Sequence, residues 1–270
     1  MGGFMAKVKA PARRRMVRAE VARTVRTSES FVTLTLAGPE LTDFEAQGFD
    51  QCCRLFFRRE GQRELTMPTA SHNGWYAQYL LMRPAVRPWV RNYTVRAFRP
   101  ETLELDIEFA LHGDTGPASA FATRARPGDP VGLFDEGIGY LPAPDTRTQL
   151  LVADESAVPA VLAVLESAPA DLVARVLLEV PHPDDIRDVT APPGAEVRWL
   201  HRDGRGGVPG RLALHTAMST PLPQGPFYTW VAGESGLATG LRRFLVKERE
   251  IPKSHVSFLG YWKHGGSGVG

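Results

Sequence analysis

The spacing of hydrophobic side chains changes character near residues 142–149. Upstream, segments such as FVTLTL (31–36) alternate apolar and polar positions with a period of two, which is typical of half-buried strands. CCRLFF, WYAQYLLM, RNYTVRAF and LELDIEFAL follow at short intervals, separated by Gly, Pro and Asn. Roughly six short strands within residues 16–147 predict an antiparallel β-barrel or sandwich.

Downstream, the apolar runs are short and continuous, as expected for strands buried on both faces of a parallel sheet. QLLVA (149–153), RVLLEV (175–180), FYTWVAGES (227–235) and a final HVSFLGYW fit this description. DESAVPAVLAVLESA and GLATGLRRFLVKERE carry apolar residues at helical spacing, and Ile251-Pro252 ends the second helix. Alternating strands and helices predict a C-terminal α/β domain over residues 148–270, with ligands outside the carboxyl ends of its strands and in a cleft between the domains.

Charge is unevenly distributed along the chain. The first 18 residues hold six basic side chains and no acid, and the remainder holds 26 bases against 30 acids. The basic segment, residues 1–15, is interpreted as a flexible, solvated tail rather than a nucleic-acid or membrane contact. Because the folded part lacks basic excess, a nucleic-acid-binding role is not expected.

Several other features narrow the class of protein. The longest apolar run, VPAVLAVL (158–165), is far shorter than the ~20 residues of a membrane span, and no secretory signal is visible. The only cysteines, Cys52 and Cys53, are adjacent, which indicates reduced thiols in a cytoplasmic protein. No metal-ligand spacing occurs among the seven histidines, so no protein-bound metal is expected.

The segment RNYTVRAF (91–98) carries the first candidate chemistry. Arg91 and Tyr93 share one face of the predicted strand, and Thr94 points to the other. A guanidinium can clamp a phosphate with two hydrogen bonds, and a neighbouring tyrosine ring offers a flat surface to a planar cofactor. The alternative is a surface strand with a solvated arginine and a packed tyrosine.

A second candidate is HGDTGPAS (112–119). Pro117 is expected at the first position of a helix that ends before Pro127, with Thr115 or Gly116 at the N-cap. Unpaired N–H groups at such a helix start bind anions, so this segment and Arg91 are predicted to hold one pyrophosphate between them. The alternative is a plain capped helix between strands.

Together these segments resemble a known family. An R-x-Y-T strand followed by a glycine-rich turn into a helix resembles the flavin domain of the ferredoxin-reductase superfamily. HGDTGPAS, the turn VADESAVPA and the end FLGYWKHG are similar to the siderophore-interacting proteins, a family of flavin-dependent ferric-siderophore reductases. The resemblance covers roughly residues 17–265. It implies a cytoplasmic FAD enzyme, expected as a monomer, that takes electrons from NADH, NADPH or ferredoxin and reduces Fe(III) in a bound siderophore.

The resemblance also implies roles for individual residues. Residues on the FAD side are Arg91 for the pyrophosphate, Tyr93 for the flavin and ribityl chain, Thr94 near flavin N5, and His112, Gly116, Pro117, Ala118 and Ser119 for the flavin and its diphosphate. Residues on the nicotinamide side are Asp154, Glu155, Ser156, Ala157, Gly233 and Glu234. Residues on the substrate side are Arg54, Trp262 and Lys263. No acid–base triad is expected, and iron enters only through the siderophore.

Two departures from the family pattern affect these expectations. Phe121 stands where the family usually has tryptophan, and FDEGIGY (134–140) replaces a turn that often contains Gly-Pro. Asp135 and Glu136 in that segment shift the expected substrate from a strongly anionic siderophore toward a less charged one such as a hydroxamate, unless the segment is only a solvated loop. Arg54 and Lys263 are interpreted as a basic pocket for the siderophore, with surface cations as the alternative.

The electron donor stays open at this point. The first turn of the α/β domain lacks G-x-G-x-x-G, although a helix start near Ser156 can still face a phosphate. Glu179, at the end of a predicted strand, favours NADH if it meets a ribose hydroxyl. Two rival functions also stay open: a flavin reductase of the same fold with another acceptor, and a non-enzymatic siderophore-binding protein.

Overall fold

The computed structural model describes residues 8–70, 74–111, 116–143, 146–203 and 207–266. The chain forms two compact units, one spanning Lys9–Ile138 and one that begins at Gly139. Each unit has its own sheet and its own hydrophobic core. No helix in the described ranges is long and apolar enough to cross a membrane.

The first unit is a seven-stranded antiparallel sheet. Its strands are β1 (Met16–Arg26), β2 (Phe31–Ala37), β3 (Cys52–Phe57), β4 (Trp89–Thr94), β5 (Ala97–Arg99), β6 (Glu104–Ala110) and β7 (Pro130–Gly137). They are arranged in the order β4-β3-β7-β1-β2-β6-β5. Two helices accompany them, α1 (Gly74–Leu81) and α2 (Pro117–Arg124). The edge strand β4 therefore exposes one side of its backbone, next to which a ligand can lie.

Two apolar clusters occupy opposite faces of this sheet. The inner cluster includes Leu55, Phe57 and Leu133, which are fully buried. The outer cluster includes Phe56 and Phe134, which α1 covers. Because side chains alternate along a strand, the apolar run CCRLFF contributes side chains to both clusters. It therefore does not form a strand with only one buried face.

The segment WYAQYLLM was expected to be a strand, and this prediction is wrong. It forms α1, in which Trp75 and Tyr79 lie one turn apart and both pack edge-on against Phe56. The Tyr79 hydroxyl donates to the carbonyl of Pro88 at 3.1 Å. The segment is apolar at nearly every position, so its periodicity cannot distinguish a short helix from a buried strand.

The second unit is a five-stranded parallel sheet. Its strands are β8 (Thr148–Ala153), β9 (Val173–Val180), β10 (Gly194–His201), β11 (Tyr228–Glu234) and β12 (Val256–Trp262), in the order β10-β9-β8-β11-β12. The helices are α3 (Val158–Ser167), α4 (Arg211–Ser219) and α5 (Ser235–Arg243), and α5 continues into a π-helical turn over Phe244–Glu248. The predicted fold class, an antiparallel barrel-like sheet followed by a parallel α/β sheet, is confirmed.

The basic segment at the start of the chain is partly held against the first sheet. The backbone of Lys9 pairs antiparallel with Ile138, with N···O distances of 2.9 and 3.1 Å. A guanidinium nitrogen of Arg15 donates to the carbonyl of Glu40 at 2.9 Å. The described part of the expected tail therefore makes backbone and side-chain contacts with the barrel, and residues 1–7 lie outside the described residues.

Candidate functional site

The edge strand β4 presents the three residues of the RxYT segment on two faces. In the pairing with β3, Arg91 lies opposite Leu55 and Tyr93 lies opposite Cys53, so both face the inner cluster. Thr94 lies opposite Cys52 on the outer face and is buried. The expected division of these side chains between the faces follows directly from the strand pleat.

Tyr93 is held as a rigid, neutral ring. Its ring centroid lies 4.2 Å from that of Phe109, with the planes tilted by 45°. Burial raises the pKa of the Tyr93 phenol above its usual range, and nearby Arg91 opposes that shift only partly. The side chain therefore stays uncharged at physiological pH and offers a flat surface.

Arg91 lies beside this ring, at the rim of the inner cluster. One of its terminal nitrogens donates to the carbonyl of Val90 at 2.7 Å, and its guanidinium carbon lies 5.2 Å from the Trp89 ring centroid. The side chain is half-buried. A partly desolvated guanidinium stacked on an aromatic ring is suited to holding a phosphate.

The start of α2 has the features of an anion site. Gly116 is the N-cap in extended conformation, Pro117 follows, and no side chain among the described residues caps the helix. The first turn contains no acidic residue, and Ala118 packs against the same inner cluster as Tyr93. A Cβ added to Gly116 would meet no described heavy atom within 4 Å, so the approach is open.

These features fit FAD. The backbone N–H groups of Ala118 and Ser119 lack an intrahelical acceptor because they belong to the first turn, and they suit a diphosphate. Ser119 is buried, and Phe121 stacks on Phe57 at 4.7 Å, which anchors the helix. His112, the remaining predicted residue of this segment, lies outside the described residues.

On the outer face, Arg54 belongs to a cluster that the sequence did not predict. Its Nε donates to Glu136 Oε1 at 2.9 Å, and its guanidinium carbon lies 5.6 Å from the Trp75 ring centroid. Arg14 reaches the same Glu136 from the N-terminal segment, with 3.3 Å between its NH2 nitrogen and Oε2, and donates to the Glu136 carbonyl at 3.1 Å. The predicted substrate-side arginine is therefore already paired with a carboxylate.

The alternative for FDEGIGY, a solvated loop, is wrong, because Phe134–Gly137 complete β7. Asp135 is buried and accepts hydrogen bonds from Gln51 Nε2 and from the Gly137 backbone N–H, both at 2.8 Å. Burial raises the pKa of the Asp135 carboxyl, and these two donors oppose the shift. The hydrogen bonds of Asp135 therefore serve to hold the local structure. Of the two acids, Glu136 is the one that pairs with Arg54.

In the second unit, the turn after β8 meets the end of β11 through Asp154. Its Oδ1 accepts from the Ser156 backbone N–H at 2.9 Å and hydroxyl at 2.6 Å, and its Oδ2 accepts from the Glu234 N–H at 2.5 Å. Burial, followed by the charge of Glu155, raises the pKa of Asp154 to about 7. Gly233 has φ 138°, and an added Cβ would lie 2.5 Å from the Asp154 carboxyl carbon. The predicted nicotinamide-side residues are thus brought together, with Ala157 buried at the start of α3.

Glu155 belongs to a buried ion cluster with Glu179 and Arg202. Both terminal nitrogens of Arg202 donate to Glu155, at 2.7 and 2.8 Å, and one donates to Glu179 at 2.7 Å. Glu179 is fully buried and also accepts from the backbone N–H groups of Gly210 and Ala213, each at 2.8 Å. The interpretation of Glu179 as a ribose ligand is wrong, because its carboxylate is enclosed by protein donors at the start of α4.

The end of β12 carries the remaining predicted residues. Ser235 Oγ donates to the Trp262 carbonyl at 2.8 Å, and the His264 N–H donates to Glu234 Oε1 at 3.1 Å. Trp262 is half-buried, and Lys263 is exposed. Lys263 belongs to the second unit and Arg54 to the first, so their joint role in one pocket stays a prediction.

An antiparallel sheet that carries an arginine, a flat phenol and a helix start that no described side chain caps, followed by a parallel α/β sheet, matches the ferredoxin-reductase fold. Residues 20–138 match the model of the siderophore-interacting FAD-binding domain, and residues 146–265 match that of the siderophore-interacting protein. The chain belongs to the siderophore-interacting protein family, as the resemblance of its motifs predicted.

Named relatives and a solved structure agree with this assignment. A siderophore-interacting protein from Aeromonas hydrophila is 32% identical, with a TM-score of 0.77 over 94% of each chain. Ferric vibriobactin reductase of Vibrio cholerae is 29% identical over 88% of this chain and 86% of its own length. NADPH-dependent ferric-chelate reductase of Escherichia coli is 29% identical over 90% of this chain and 91% of its own length.

Proposed function

We propose that the protein is an FAD-dependent oxidoreductase that reduces Fe(III) in a bound ferric siderophore and so releases iron as Fe(II). The observation that carries this proposal is the joint presence of Arg91, Tyr93 and the start of α2, which no described side chain caps, around one apolar cluster. The reductases named among the relatives support the choice of a ferric chelate as acceptor. Fe(II) is held more weakly than Fe(III) by hard oxygen ligands, so reduction favours release.

The first unit is assigned to FAD. Arg91 and the N–H groups of Ala118 and Ser119 bind the diphosphate, and Tyr93 supports the ring system from one side. The hydroxyl of Thr94 lies on the other face of β4 and would contact the flavin from there. When bound, FAD accepts a hydride and gives up its electrons one at a time, which a ferric ion requires.

The second unit is assigned to the electron donor, and NADPH is favoured because a relative of similar length is named as NADPH-dependent. Asp154 fixes the turn after β8 to the end of β11, which leaves the Ser156 segment in place at the start of α3. Gly233 allows the close approach of that turn. In this assignment Asp154 and Glu234 position the backbone rather than contact the nicotinamide, and NADH and ferredoxin are the alternative donors.

The domain assignment and setting complete the proposal. Residues 16–147 form the FAD-binding domain and residues 148–270 the NAD(P)H-binding-like domain, preceded by the basic segment of residues 1–15. The protein acts as a cytoplasmic monomer whose partner is the ferric siderophore. Arg54 in the first unit, and Trp262 and Lys263 in the second, are each assigned to substrate binding.

The test begins with the absorption spectrum of the purified protein. We expect bound FAD, bleaching by NADPH without oxygen, and recovery of the oxidised spectrum on addition of a ferric siderophore, with Fe(II) captured by a ferrous chelator. Arg91→Ala should release FAD, whereas Arg126→Ala, at an exposed arginine, should retain it. A protein that neither holds nor takes up FAD would refute the reductase assignment. Reduction of free flavin without any effect of ferric siderophores would favour a flavin reductase.

A further inference from the structure

We propose that Glu136 is a specificity-determining residue that selects ferric chelates of low negative charge. It does so by occupying Arg54 and Arg14, the bases that would otherwise bind an anionic chelate. This inference rests on the proposed function, because it takes the outer face next to Thr94 as the place where the chelate receives electrons.

The position of Glu136 is created by a β-bulge. Cys52 lies opposite Gly137 and Cys53 lies opposite Asp135, so Glu136 is the extra residue of β7 in the β3–β7 pairing. A bulge re-aims the side chain of the extra residue relative to the regular alternation. Glu136 thus reaches Arg54 on one side and Arg14 on the other, although its neighbour Asp135 is buried among other partners.

Arg54 retains binding capacity in this arrangement. It contacts Glu136 through Nε alone, and no described residue accepts a hydrogen bond from either of its terminal nitrogens. Its side chain is 27% exposed and that of Glu136 is 23% exposed, so the pair is partly desolvated but reachable. A ligand oxygen can therefore bind the outer edge of the guanidinium while Glu136 holds the inner edge.

The sheet register places this cluster next to Thr94. Arg54 lies opposite Asn92, and Cys52 lies opposite Thr94, so Arg54 and Thr94 are diagonal neighbours on one face. Such neighbours are separated by about 7–8 Å, which a long side chain spans. A ferric chelate bound near Thr94 therefore meets the Arg14–Glu136–Arg54 cluster, which carries two positive charges and one negative charge.

The charge of the chelate decides how it responds to this cluster. A catecholate group carries more negative charge than a hydroxamate group, so a ferric tris-catecholate is strongly anionic and a ferric tris-hydroxamate is neutral at its iron centre. Glu136 repels the anionic complex and competes with it for both arginines. The neutral complex loses little binding affinity in the presence of Glu136. Its binding depends on hydrogen bonds from Arg54 more than on the net positive charge of the cluster.

The test compares Glu136→Gln with a matched control, Glu104→Gln, in the FAD-loaded protein. Glu104 also bridges two arginines, at 2.6 Å from Arg23 and 3.1 Å from Arg99, but it lies at the start of β6, whose strand neighbours are β2 and β5. Both substitutions add the same formal charge. The probes are the ferric complexes of a synthetic tris-catechol chelator and of an uncharged tris-hydroxamate chelator, with Kd measured by quenching of tryptophan fluorescence.

For Glu136→Gln we expect the Kd of the tris-catecholate complex to fall by about tenfold and that of the tris-hydroxamate complex to change by less than about twofold, because only the anionic ligand is repelled. Glu104→Gln should change neither value. Arg14→Gln, which leaves Glu136 to neutralise Arg54, should weaken binding of the tris-catecholate alone.

Equal changes for both complexes, or an unchanged ratio of their Kd values in Glu136→Gln, would overturn the specificity proposal while leaving ferric-chelate reduction intact. Binding of neither complex by the wild-type protein would instead overturn the proposed function together with the inference. If Glu104→Gln tightened binding of the tris-catecholate complex as much as Glu136→Gln, the affinity would depend only on the total charge of the protein. That result would also overturn the role assigned to Glu136.

Discussion

Among the described residues, Arg202 supplies the positive charge of the buried ion cluster in the second unit, and its replacement by methionine should strongly destabilise that unit. The Glu155 and Glu179 side chains are 1% and 0% exposed, and Arg202 donates three hydrogen bonds to them. Removing one partner of a buried pair typically costs about 3–5 kcal/mol, because the remaining charge is left without compensation. Glu179 keeps two backbone donors after this substitution.

The measurement is urea unfolding of wild type, Arg202→Met, and the double variant Arg202→Met/Glu155→Gln. We expect the single variant to lose about 3–5 kcal/mol and the double variant to recover part of that loss, since one of the two buried carboxylates is replaced by a neutral amide. Arg147→Met is the control, because the Arg147–Asp171 pair is 68% and 53% exposed on its two sides and is expected to contribute less than about 1 kcal/mol. A loss at Arg202 no larger than at Arg147, or a double variant less stable than the single one, would refute the reasoning.

Three further outcomes are expected. Gly116→Asp should stabilise α2 by a few tenths of a kcal/mol in thermal unfolding, because it supplies a side-chain cap that no described residue provides. It should also weaken FAD binding measured by flavin fluorescence, because the carboxylate occupies the anion site; tighter FAD binding would contradict this assignment. Because the pKa of buried Asp154 is raised to about 7, the native state binds the proton more tightly than the unfolded state, so unfolding free energy should fall as pH rises from about 4 to about 7; Asp154→Asn should flatten that slope in urea titrations. Gly233→Ala should cost about 1–3 kcal/mol in the same assay because of its φ of 138° and the Asp154 carboxylate, whereas Gly207→Ala, with no described atom within 4 Å, should cost much less.

The parts of the fold that were predicted from sequence are those with a single consistent pattern. Continuous apolar runs identified β8, β9 and β11, because strands in the middle of a parallel sheet are buried on both faces. The run HVSFLGYW also identified β12, although β12 lies at an edge of the sheet and is mostly half-buried or exposed. The edge strand β10 was not identified, since most of its residues are exposed or half-buried and no apolar run marks it. In the first unit, α1 was mistaken for a strand because its exposed face also carries apolar residues, among them Tyr76 and Leu81.

The predicted placement of candidate site residues agrees with the structure where it depends on local geometry. The opposite faces of Arg91 and Thr94 follow from the strand period, and the start of α2 at Pro117 follows from the fixed backbone angle of proline. Arg14 and Trp75 were missed as neighbours of Arg54, because one lies in a segment interpreted as tail and the other in a helix interpreted as strand. No sequence signal places either residue there, since both contacts depend on how distant segments fold over the outer face of the sheet.

Glu136 and Glu179 show why residue type alone does not assign a ligand contact. Both are acids at or near strand ends, and both were considered from sequence as neighbours of a ligand. Glu179 is enclosed by Arg202 and by the N–H groups of Gly210 and Ala213, so its charge stabilises the start of α4. Glu136 is turned by a bulge toward a half-exposed arginine, so its charge acts on whatever binds that arginine. The difference lies in burial and in strand register, which are set by distant parts of the chain, and it makes Glu136 the residue at which substitution should change substrate preference without disturbing the fold.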